Sequence, residues 1–331
     1  MSAAVIIPTY NEARHIGSLL EQLLRLDESV VGEILVADGR SEDETRAIVA
    51  GFTAESGRVR LVDNPERVQA AGINRAAKAA TPERTVLVRM DAHSHYPDDY
   101  VPRLLQQLVS RETDSVVVRL RTVGRTCMEK AIAAASNSAF GTGGSLHRVG
   151  GTSGPVDHGH HAAFVRAAFE RVGGYDKGFI ANEDAEFDYR LRRTGGRIWF
   201  ASEIEVDYFP RSTLRALARQ YWRYGQGRAQ NYRKHGEALR LRQLAAPAIA
   251  AVLTASALLG FVQPLFWLVP ALYASGCAAA AVFLAIRERS PCVLLAAPAL
   301  AVMHVCWGFG FLKRVSRRTG DGRRPAPAEQ I

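Results

Sequence analysis

The first 240 residues alternate between short apolar runs and longer amphipathic segments. The runs are mostly β-branched and lie at residues 5–7, 34–37, 59–62, 85–90 and 115–120. Helical periodicity between most of them predicts an α/β protein with a mostly parallel sheet and helices on both faces. Ligands of such sheets bind outside the carboxyl ends of the strands, so the polar residues that directly follow the runs are the functional candidates.

The pattern becomes irregular in a Gly-rich segment at residues 141–159. We expect a loop over the site there, either a mobile lid or a plain surface loop. Beyond it, the pattern predicts a helix at 165–172, a second helix opened by residues 182–186, and a strand at 197–201. Ser212 is expected to cap a long helix that runs to about His235.

The C-terminal quarter is apolar, with no Asp, Glu, Lys or Arg in residues 244–286 and 291–312. Breaks at Gln263-Pro264 and at 287–290 divide it into three candidate spans of roughly 20 residues each. Basic residues flank both its ends, and the positive-inside rule places both flanks in the cytosol, which three full crossings cannot satisfy. One segment, with 244–262 the first candidate, is therefore re-entrant or interfacial, or the basic tail is exported.

These patterns predict four regions. They are a cytosolic domain at 1–210, an amphipathic helix at 211–242, two or three transmembrane helices at 243–313, and a basic tail at 314–331. The Arg-rich helix suits a lipid headgroup surface, and the alternative is a soluble helix that packs on the sheet. The apolar run at 3–7 is broken by Pro8 and Asn11, so we expect no signal peptide and a first domain that stays in the cytoplasm.

Composition narrows the functional classes. With 331 residues, 47% of them hydrophobic, the chain is neither disordered nor a disulfide-stapled miniature fold. Much of the net charge of +9 lies beside the apolar quarter, so we expect a membrane and not nucleic acid as partner. The four cysteines form no CxxC pair, which favours neither a disulfide nor a zinc site. No GxGxxG follows the first run, which disfavours a dinucleotide oxidoreductase.

Asp91, His93 and His95 alternate at the end of the fourth run. In an extended chain their side chains project to one side, with room for a cation or a diphosphate between them. Imidazole with carboxylate suits Mn²⁺ better than Mg²⁺. In the alternative interpretation, Asp91 caps a helix and the two histidines form hydrogen bonds within a loop.

Glu183 and Asp184 fall in the first turn of a predicted helix. The helix dipole favours carboxylates there without any function, but their place after the Gly-rich segment makes them candidates for a general base. On the later long helix, Arg219, Gln220, Arg223 and Arg228 could neutralise a diphosphate or face anionic lipid.

Several motifs occur in a familiar order over residues 3–235. They are Pro8-Thr9-Tyr10-Asn11-Glu12, Asp38, Asp91-Ala92-His93, Glu183-Asp184 and Gln220-Tyr221-Trp222-Arg223-Tyr224. This ordered set resembles family 2 glycosyltransferases. Gly154-Pro155-Val156-Asp157, the Asn-Glu-Asp-Ala-Glu segment at 182–186 and residues 208–214 are most similar to succinoglycan-type exopolysaccharide glucosyltransferases.

The resemblance implies a GT-A fold that binds a nucleoside-diphosphate sugar, usually with UDP, and inverts the anomeric carbon. Pro8, Tyr10, Glu12 and Asp38 would hold the nucleoside. Asp91, Ala92 and His93 would occupy the metal and diphosphate position, with His95 where related enzymes carry a third ligand. Asp184 would be the catalytic base. Gln220 and Arg223 would meet the diphosphate or the acceptor.

Two departures from the family pattern affect the expected chemistry. His93 replaces the second Asp of a DxD motif, which leaves the metal, Mn²⁺ or Mg²⁺, open. Tyr224 replaces the Trp of QxxRW, which favours a single sugar addition over processive synthesis. We therefore expect a multi-pass inner-membrane enzyme that transfers a sugar, first of all glucose, from a UDP-sugar to a lipid-linked oligosaccharide. Alternatives are transfer to polyprenyl phosphate or a glycolipid, and a non-catalytic nucleotide-sugar sensor.

Overall fold

The computed structural model describes residues 2–179 and 181–316. The described chain divides into two compact units, the first comprising residues 2–120 and 150–207 and the second residues 121–149 and 208–316. The predicted catalytic domain ran unbroken to residue 210, whereas residues 121–149 group with the C-terminal segment. The predicted basic tail from residue 317 onward lies outside the described residues.

The first unit is built on an eight-stranded sheet. Its strands are β1 (Ala3–Thr9), β2 (Val31–Asp38), β3 (Val59–Asp63), β4 (Val86–Arg89), β5 (Ser115–Thr122), β6 (Gly154–Pro155), β7 (His160–Val165) and β8 (Ile198–Tyr208). Their order is β3-β2-β1-β4-β7-β5-β8-β6. The predicted parallel arrangement is confirmed for β1 to β4. The sheet is mixed because β7 runs antiparallel to both β4 and β5.

Thirteen α-helices occur in the described residues. They are α1 (Ile16–Leu24), α2 (Thr45–Glu55), α3 (Gln69–Ala79), α4 (Tyr100–Ser110), α5 (Cys127–Ser136), α6 (Ala139–Thr142), α7 (Leu146–Val149), α8 (Arg166–Arg171), α9 (Glu183–Arg193), α10 (Leu214–His235), α11 (Leu241–Gly260), α12 (Leu268–Arg287) and α13 (Ala296–Ser316). Short 3₁₀ helices at Pro264–Trp267 and Pro291–Leu295 precede α12 and α13.

Two local expectations require correction. The segment at 141–159 is not a plain loop, because it contains the end of α6, all of α7 and strand β6. The Ser138 side chain accepts a hydrogen bond from the Gly141 amide and so starts α6, and Gly143 ends it at φ +60°. Thr213, and not Ser212, caps α10, since its hydroxyl accepts from the Ala216 amide.

The core of the first unit explains why β1, β2 and β4 read as continuous apolar runs. Ile6, Leu35 and Leu87 are at most 1% exposed, as expected for parallel strands that are covered on both faces. Around β7, aromatic side chains pack against one another, and the ring centroids of Tyr175 and Phe187 lie 4.9 Å apart. This packing fixes α9, which carries Phe187, against the sheet.

The second unit contains three helical segments that are long and apolar enough to cross a membrane, at Leu241–Gly260, Pro264–Arg287 and Pro291–Ser316. It also contains a disulfide between Cys127 of α5 and Cys292, so the expectation of none is wrong. The two residues are 165 positions apart. Local spacing cannot reveal such a pair, because only the packing of α5 on the segment before α13 brings it together.

A buried ion pair on α9 offers a test of the fold. The Glu186 side chain is 0% exposed and accepts from Arg190 Nε at 2.8 Å and Nη2 at 2.6 Å. Removal of one partner of a buried pair costs roughly 3–5 kcal/mol, so Glu186→Gln should lower the melting temperature of the full chain by several degrees. The matched control is Glu170→Gln, because Glu170 pairs with Arg166 at the same helical spacing but is 57% exposed. Loss of this exposed Glu170–Arg166 pair should lower the free energy of unfolding by less than about 1 kcal/mol. Equal shifts in the two variants would contradict this assignment.

Candidate active site

The carboxyl ends of β1 and β4 bring two of the predicted motifs together. These strands are parallel neighbours, so the loops that follow them lie at the same edge of the sheet. His93 Nδ1 lies 2.8 Å from Glu12 Oε1, and His15 Nδ1 lies 3.0 Å from Glu12 Oε2. Both residues directly follow predicted strands, and the structure brings them into contact.

Asp38, predicted to hold the nucleoside, is 0% exposed and surrounded by donors of its own unit. Its carboxylate accepts from the Ser41 amide at 2.9 Å, from the Ser41 hydroxyl at 2.5 Å and from Arg46 Nη1 at 3.0 Å. Beside it, the guanidinium of Arg67 lies 5.7 Å from the centre of the Tyr10 ring. Asp38 thus fixes the turn after β2, and the roles of Pro8, Tyr10 and Asp38 toward a nucleoside stay predictions.

The extended geometry expected for Asp91, His93 and His95 is wrong. β4 ends at Arg89, and the Ser94 amide donates to the Asp91 carbonyl at 3.2 Å, so a turn follows the strand. His95 instead forms a two-way backbone bridge with Asp207 of β8. A turn reorients successive side chains, and the alternation that holds for a strand fails here. Ala92, between the first two, is 4% exposed.

Arg89, the last residue of β4, organises the centre of the site. Its side chain is only 2% exposed and faces three carboxylates, with Nε 3.4 Å from Asp91, Nη2 3.9 Å from Glu183 and Nη1 in direct contact with Asp184. These ion pairs raise the pKa of Arg89 well above its usual value despite its burial. No sequence motif marks Arg89, which lies within the otherwise apolar run at residues 85–90.

Asp184 lies in the first turn of α9, as predicted, and its side chain is 13% exposed. Besides Arg89, it contacts His160 Nδ1 at 2.5 Å through Oδ2 and accepts from the Tyr175 hydroxyl at 3.0 Å through Oδ1. Burial opposes its ionisation, but the charges of Arg89 and His160 outweigh burial and hold the pKa of Asp184 well below its usual range. Asp184 is therefore an ionised carboxylate at any pH near neutrality.

A second histidine–carboxylate pair repeats this arrangement one helical turn further along α9. His158 Nδ1 lies 3.0 Å from Asp188 Oδ2, and the Gly159 amide donates to the same oxygen at 3.1 Å. None of the predicted motifs includes His158, His160 or Asp188. The available signal was a His-Gly-His segment at the start of an apolar run, where isolated polar residues need partners.

The charge of the cluster formed by Arg89, Asp91, Glu183 and Asp184 bears on metal binding. One guanidinium faces three carboxylates, so the cluster carries excess negative charge that attracts a cation. Within residues 2–179 and 181–316, no group of three or more His, Cys, Asp or Glu side chains could hold a metal by itself. Mg²⁺ and similar ions are commonly held by one or two carboxylates together with substrate phosphates. Asp91 fits that mode, and the ligand set of Asp91, His93 and His95 stays a prediction.

Gln220 and Arg223 lie on α10, in the second unit. Gln220 Nε2 donates to the hydroxyls of Tyr208 and Tyr224, at 3.0 Å each. Tyr224, at the position where the family pattern has Trp, thus anchors Gln220 through its hydroxyl. The roles of Gln220 and Arg223 toward a diphosphate stay predictions.

The conserved pattern described as Glycosyl transferase family 2 matches residues 4–173. The chain belongs to glycosyltransferase family 2. This family 2 enzyme is 41% identical over 314 residues to the succinoglycan biosynthesis protein ExoA of Rhizobium meliloti, with 95% of each chain covered. It is also 24% identical over 241 residues to a dolichyl N-acetyl-α-D-glucosaminyl phosphate 3-β-D-2,3-diacetamido-2,3-dideoxy-β-D-glucuronosyltransferase of Methanococcus voltae, covering 70% of this chain and 74% of that one.

Among solved structures, the glycosyltransferase is similar to the mannosyltransferase PcManGT of Pyrobaculum calidifontis, solved in complex with GDP-mannose and Mn²⁺. The TM-score is 0.58 at 21% identity, and the match covers 95% of this chain and 87% of that one. At this identity the likeness concerns the fold. The mostly parallel mixed sheet with flanking helices is thus GT-A-like, as the resemblance implied.

The pKa of Glu183 yields a pH-dependent prediction. Burial and the neighbouring Asp184 raise it from 4.5 to about 6. The folded state therefore binds this proton more tightly than the unfolded state, and stability falls as pH rises from 4.5 to about 6 and stays lower above that. Glu183→Gln removes the buried charge and should raise the melting temperature at pH 7.5 but not at pH 4.

The control for this experiment is Glu21→Gln, which changes an exposed glutamate on α1. It should shift the melting temperature little at either pH. A stabilisation by Glu183→Gln of the same size at both pH values would show that the raised pKa is not its cause.

Proposed function

We propose that the chain is an inverting glycosyltransferase of exopolysaccharide synthesis. It transfers a sugar, with glucose the first candidate, from a UDP-sugar to a lipid-linked oligosaccharide. The observation that carries the proposal is the ionised, partly accessible Asp184 carboxylate beside Asp91 and Arg89. The similarity to the succinoglycan protein supports the pathway, and the dolichyl-linked relative supports a lipid-linked acceptor.

Asp184 is suited to act as the general base. Arg89 and His160 lower the pKa of its carboxyl and keep it unprotonated at neutral pH. The same two contacts weaken it as a base, so we assign it the proton of the acceptor hydroxyl only as that oxygen attacks C1 of the sugar and becomes acidic. The bond between C1 and the diphosphate oxygen breaks on the opposite face, which inverts the anomeric centre. UDP leaves as an anion and needs no acid from the protein.

His160 and Tyr175 position this base. Each contacts a different oxygen of Asp184, His160 at Oδ2 and Tyr175 at Oδ1. Two anchored oxygens fix both the rotation of the carboxylate and its distance from the acceptor, and misplacement of a catalytic group by 1 Å can cost about 100-fold in rate.

A divalent ion would be held by Asp91 together with oxygens of the donor diphosphate. When bound, such an ion offsets the negative charge that develops on the leaving group. Arg89 holds Asp91 from within the sheet, at 3.4 Å, and Gln69 Nε2 donates to the same Asp91 oxygen at 3.3 Å. These two contacts orient Asp91 toward the loop side of β4.

A second candidate function is transfer of the sugar to polyprenyl phosphate itself. The name of another relative favours it, the dolichyl-phosphate hexose transferase of Haloferax volcanii, which is 31% identical over 137 residues. The donor site would be the same, and the lipid product distinguishes the two. A lengthened lipid-linked oligosaccharide supports the first proposal, whereas a new sugar phosphodiester supports the second.

The base assignment predicts the effect of Asp184→Asn. UDP release from UDP-glucose by purified membranes with lipid-linked acceptor should fall by about 10²–10⁴-fold, while UDP binding persists. Chelation of divalent metal in the wild type should also abolish release. Asp98→Asn is the control, because the Asp98 side chain is 90% exposed. Undiminished release by Asp184→Asn would remove Asp184 as base, and the absence of release by wild-type membranes would mean that the proposed donor or acceptor is wrong.

The positioning role predicts a difference between two histidines. His160→Asn should lower kcat and leave the KM for the donor nearly unchanged, because only the orientation of Asp184 is lost. His158→Asn removes the equivalent pair with Asp188, which does not hold the proposed base, and should change stability more than kcat. The measurements are kcat, KM and melting temperature of both variants. Equal losses of kcat in the two would assign His160 a structural role alone.

A further inference from the structure

Asp91 lies just beyond the last backbone hydrogen bond between β4 and β1. The Met90 amide still donates to the Ile6 carbonyl of β1 at 3.0 Å, and β4 itself ends at Arg89. Asp91 is only 7% exposed, so bulk water cannot satisfy its amide and the protein must supply a partner. That partner is a side chain from the loop that follows β4.

The Tyr96 hydroxyl closes the turn after β4. It accepts a hydrogen bond from the Asp91 amide at 2.7 Å and donates to the Asp91 carbonyl at 3.3 Å. The Ser94 amide donates to the same carbonyl at 3.2 Å. One phenol thus contacts both backbone polar groups of Asp91 and fixes the two ends of the 91–96 loop to each other.

Three neighbouring elements hold Tyr96 in place. Its carbonyl accepts from Gln22 Nε2 of α1 at 3.0 Å. The preceding residue, His95, exchanges two backbone hydrogen bonds with Asp207 of β8, at 3.0 and 2.9 Å. The Tyr96 ring packs on that of Tyr100, the first residue of α4, with centroids 4.7 Å apart. Through Tyr96, the position of Asp91 therefore depends on α1, α4 and β8 as well as on β4.

Contacts to the Asp91 side chain are longer than the contact to its amide. Arg89 Nε and Gln69 Nε2 lie 3.4 and 3.3 Å from Asp91 Oδ1, whereas N–H···O hydrogen bonds usually measure about 2.7–3.2 Å. The bond from the Asp91 amide to the Tyr96 hydroxyl, at 2.7 Å, lies at the short end of this range. Of these contacts, the one with Tyr96 therefore restricts Asp91 most.

The replacement of a carboxylate by His93 makes the orientation of Asp91 more important. His93 stands where a DxD motif has its second Asp, and its Nδ1 lies 2.8 Å from Glu12 Oε1. In the proposed function, Asp91 holds a divalent ion together with oxygens of the donor diphosphate. Loss of a group that orients a metal ligand typically weakens metal binding by about 10–100-fold.

We propose that Tyr96 is a positioning residue for the divalent ion at the donor diphosphate. Its hydroxyl fixes the backbone of Asp91 and thereby the direction from which the Asp91 carboxylate meets the ion. Tyr96 acts through Asp91 and not by contact with the ion. The inference rests on the proposed function, because that function assigns the ion to Asp91.

Tyr100 offers a matched control. Both tyrosines are buried, with Tyr96 8% and Tyr100 1% exposed, and their rings are in contact. Within residues 2–179 and 181–316, however, the buried Tyr100 hydroxyl has no hydrogen-bond partner. Replacement of either tyrosine by Phe removes one buried oxygen and keeps the ring, but only Tyr96→Phe removes a hydrogen bond to Asp91.

The experiment titrates Mn²⁺ into the purified full chain in the presence of UDP and measures free Mn²⁺ by electron paramagnetic resonance. We expect Tyr96→Phe to raise the Kd for Mn²⁺ by about 10-fold or more and Tyr100→Phe to leave it at the wild-type value. The kcat of Tyr96→Phe at saturating Mn²⁺ should stay near that of the wild type. Its melting temperature should fall, because the Asp91 amide loses its partner.

Gln22→Leu tests the same support without changing either tyrosine, and it decides the question if Tyr96→Phe fails to fold. It removes the side chain that holds the Tyr96 carbonyl from α1. The Kd for Mn²⁺ should rise, but by less than in Tyr96→Phe, because His95 and Tyr100 still hold the loop. An unchanged Kd in Gln22→Leu, with Tyr96→Phe unfolded, would count against the inference.

Other outcomes separate this inference from the proposed function. A lower melting temperature of Tyr96→Phe with an unchanged Kd for Mn²⁺ would assign the hydroxyl to stability alone and overturn the inference, while Asp91 would remain the proposed metal ligand. Equal increases of the Kd in Tyr96→Phe and Tyr100→Phe would overturn it in the same way. A wild type that binds no Mn²⁺ in the presence of UDP would refute the metal role of Asp91, and the inference with it.

Discussion

The buried Arg89 guanidinium is the constraint on which the first unit depends. A charge that is 2% exposed needs carboxylates close by, and the chain supplies three, from the loop after β4 and from the first turn of α9. Asp91 and Asp184 both pair with Arg89. The residue proposed to lie at the diphosphate and the proposed base are therefore held by one guanidinium. The same ion pairs therefore stabilise the fold and position the residues proposed for the chemistry.

Much of the architecture was predictable because covered parallel strands have a plain signature in sequence. The apolar runs that became β1 to β5 were visible in the sequence, and so was the placement of polar residues after their carboxyl ends. The contact of Glu12 with His93 depends on the pairing of β1 with β4, which the structure supplies. The short strand β6, antiparallel β7 and the turn at residues 91–94 did not. They depend on pairing between distant segments and on a hydrogen bond within a loop, neither of which leaves a periodic pattern.

The candidate site was likewise predictable in part. Asp184 and its neighbour were found through a motif, but Arg89, His160 and Tyr175, which determine the protonation and position of Asp184, lie in strands and loops with no motif. In the second unit, composition predicted three apolar helices and did not distinguish among them. Their packing differs, because α10, α11 and α12 together cover most of α13, whereas α11 and α12 have many exposed side chains.

His158 and His160, just before and at the start of β7, could pair with the carboxylates of α9 in two alternative registers. His158 and His160 are two residues apart in an extended segment, roughly 6.6 Å, and Asp188 and Asp184 are four apart on α9, roughly 6 Å. The two spacings nearly coincide, so a slide of α9 by one turn would still match one imidazole with one carboxylate. Arg89 and Tyr175 contact Asp184 but have no equivalent at Asp188 among the hydrogen bonds of the described chain. They therefore select one register of α9 from two that the histidines alone would accept.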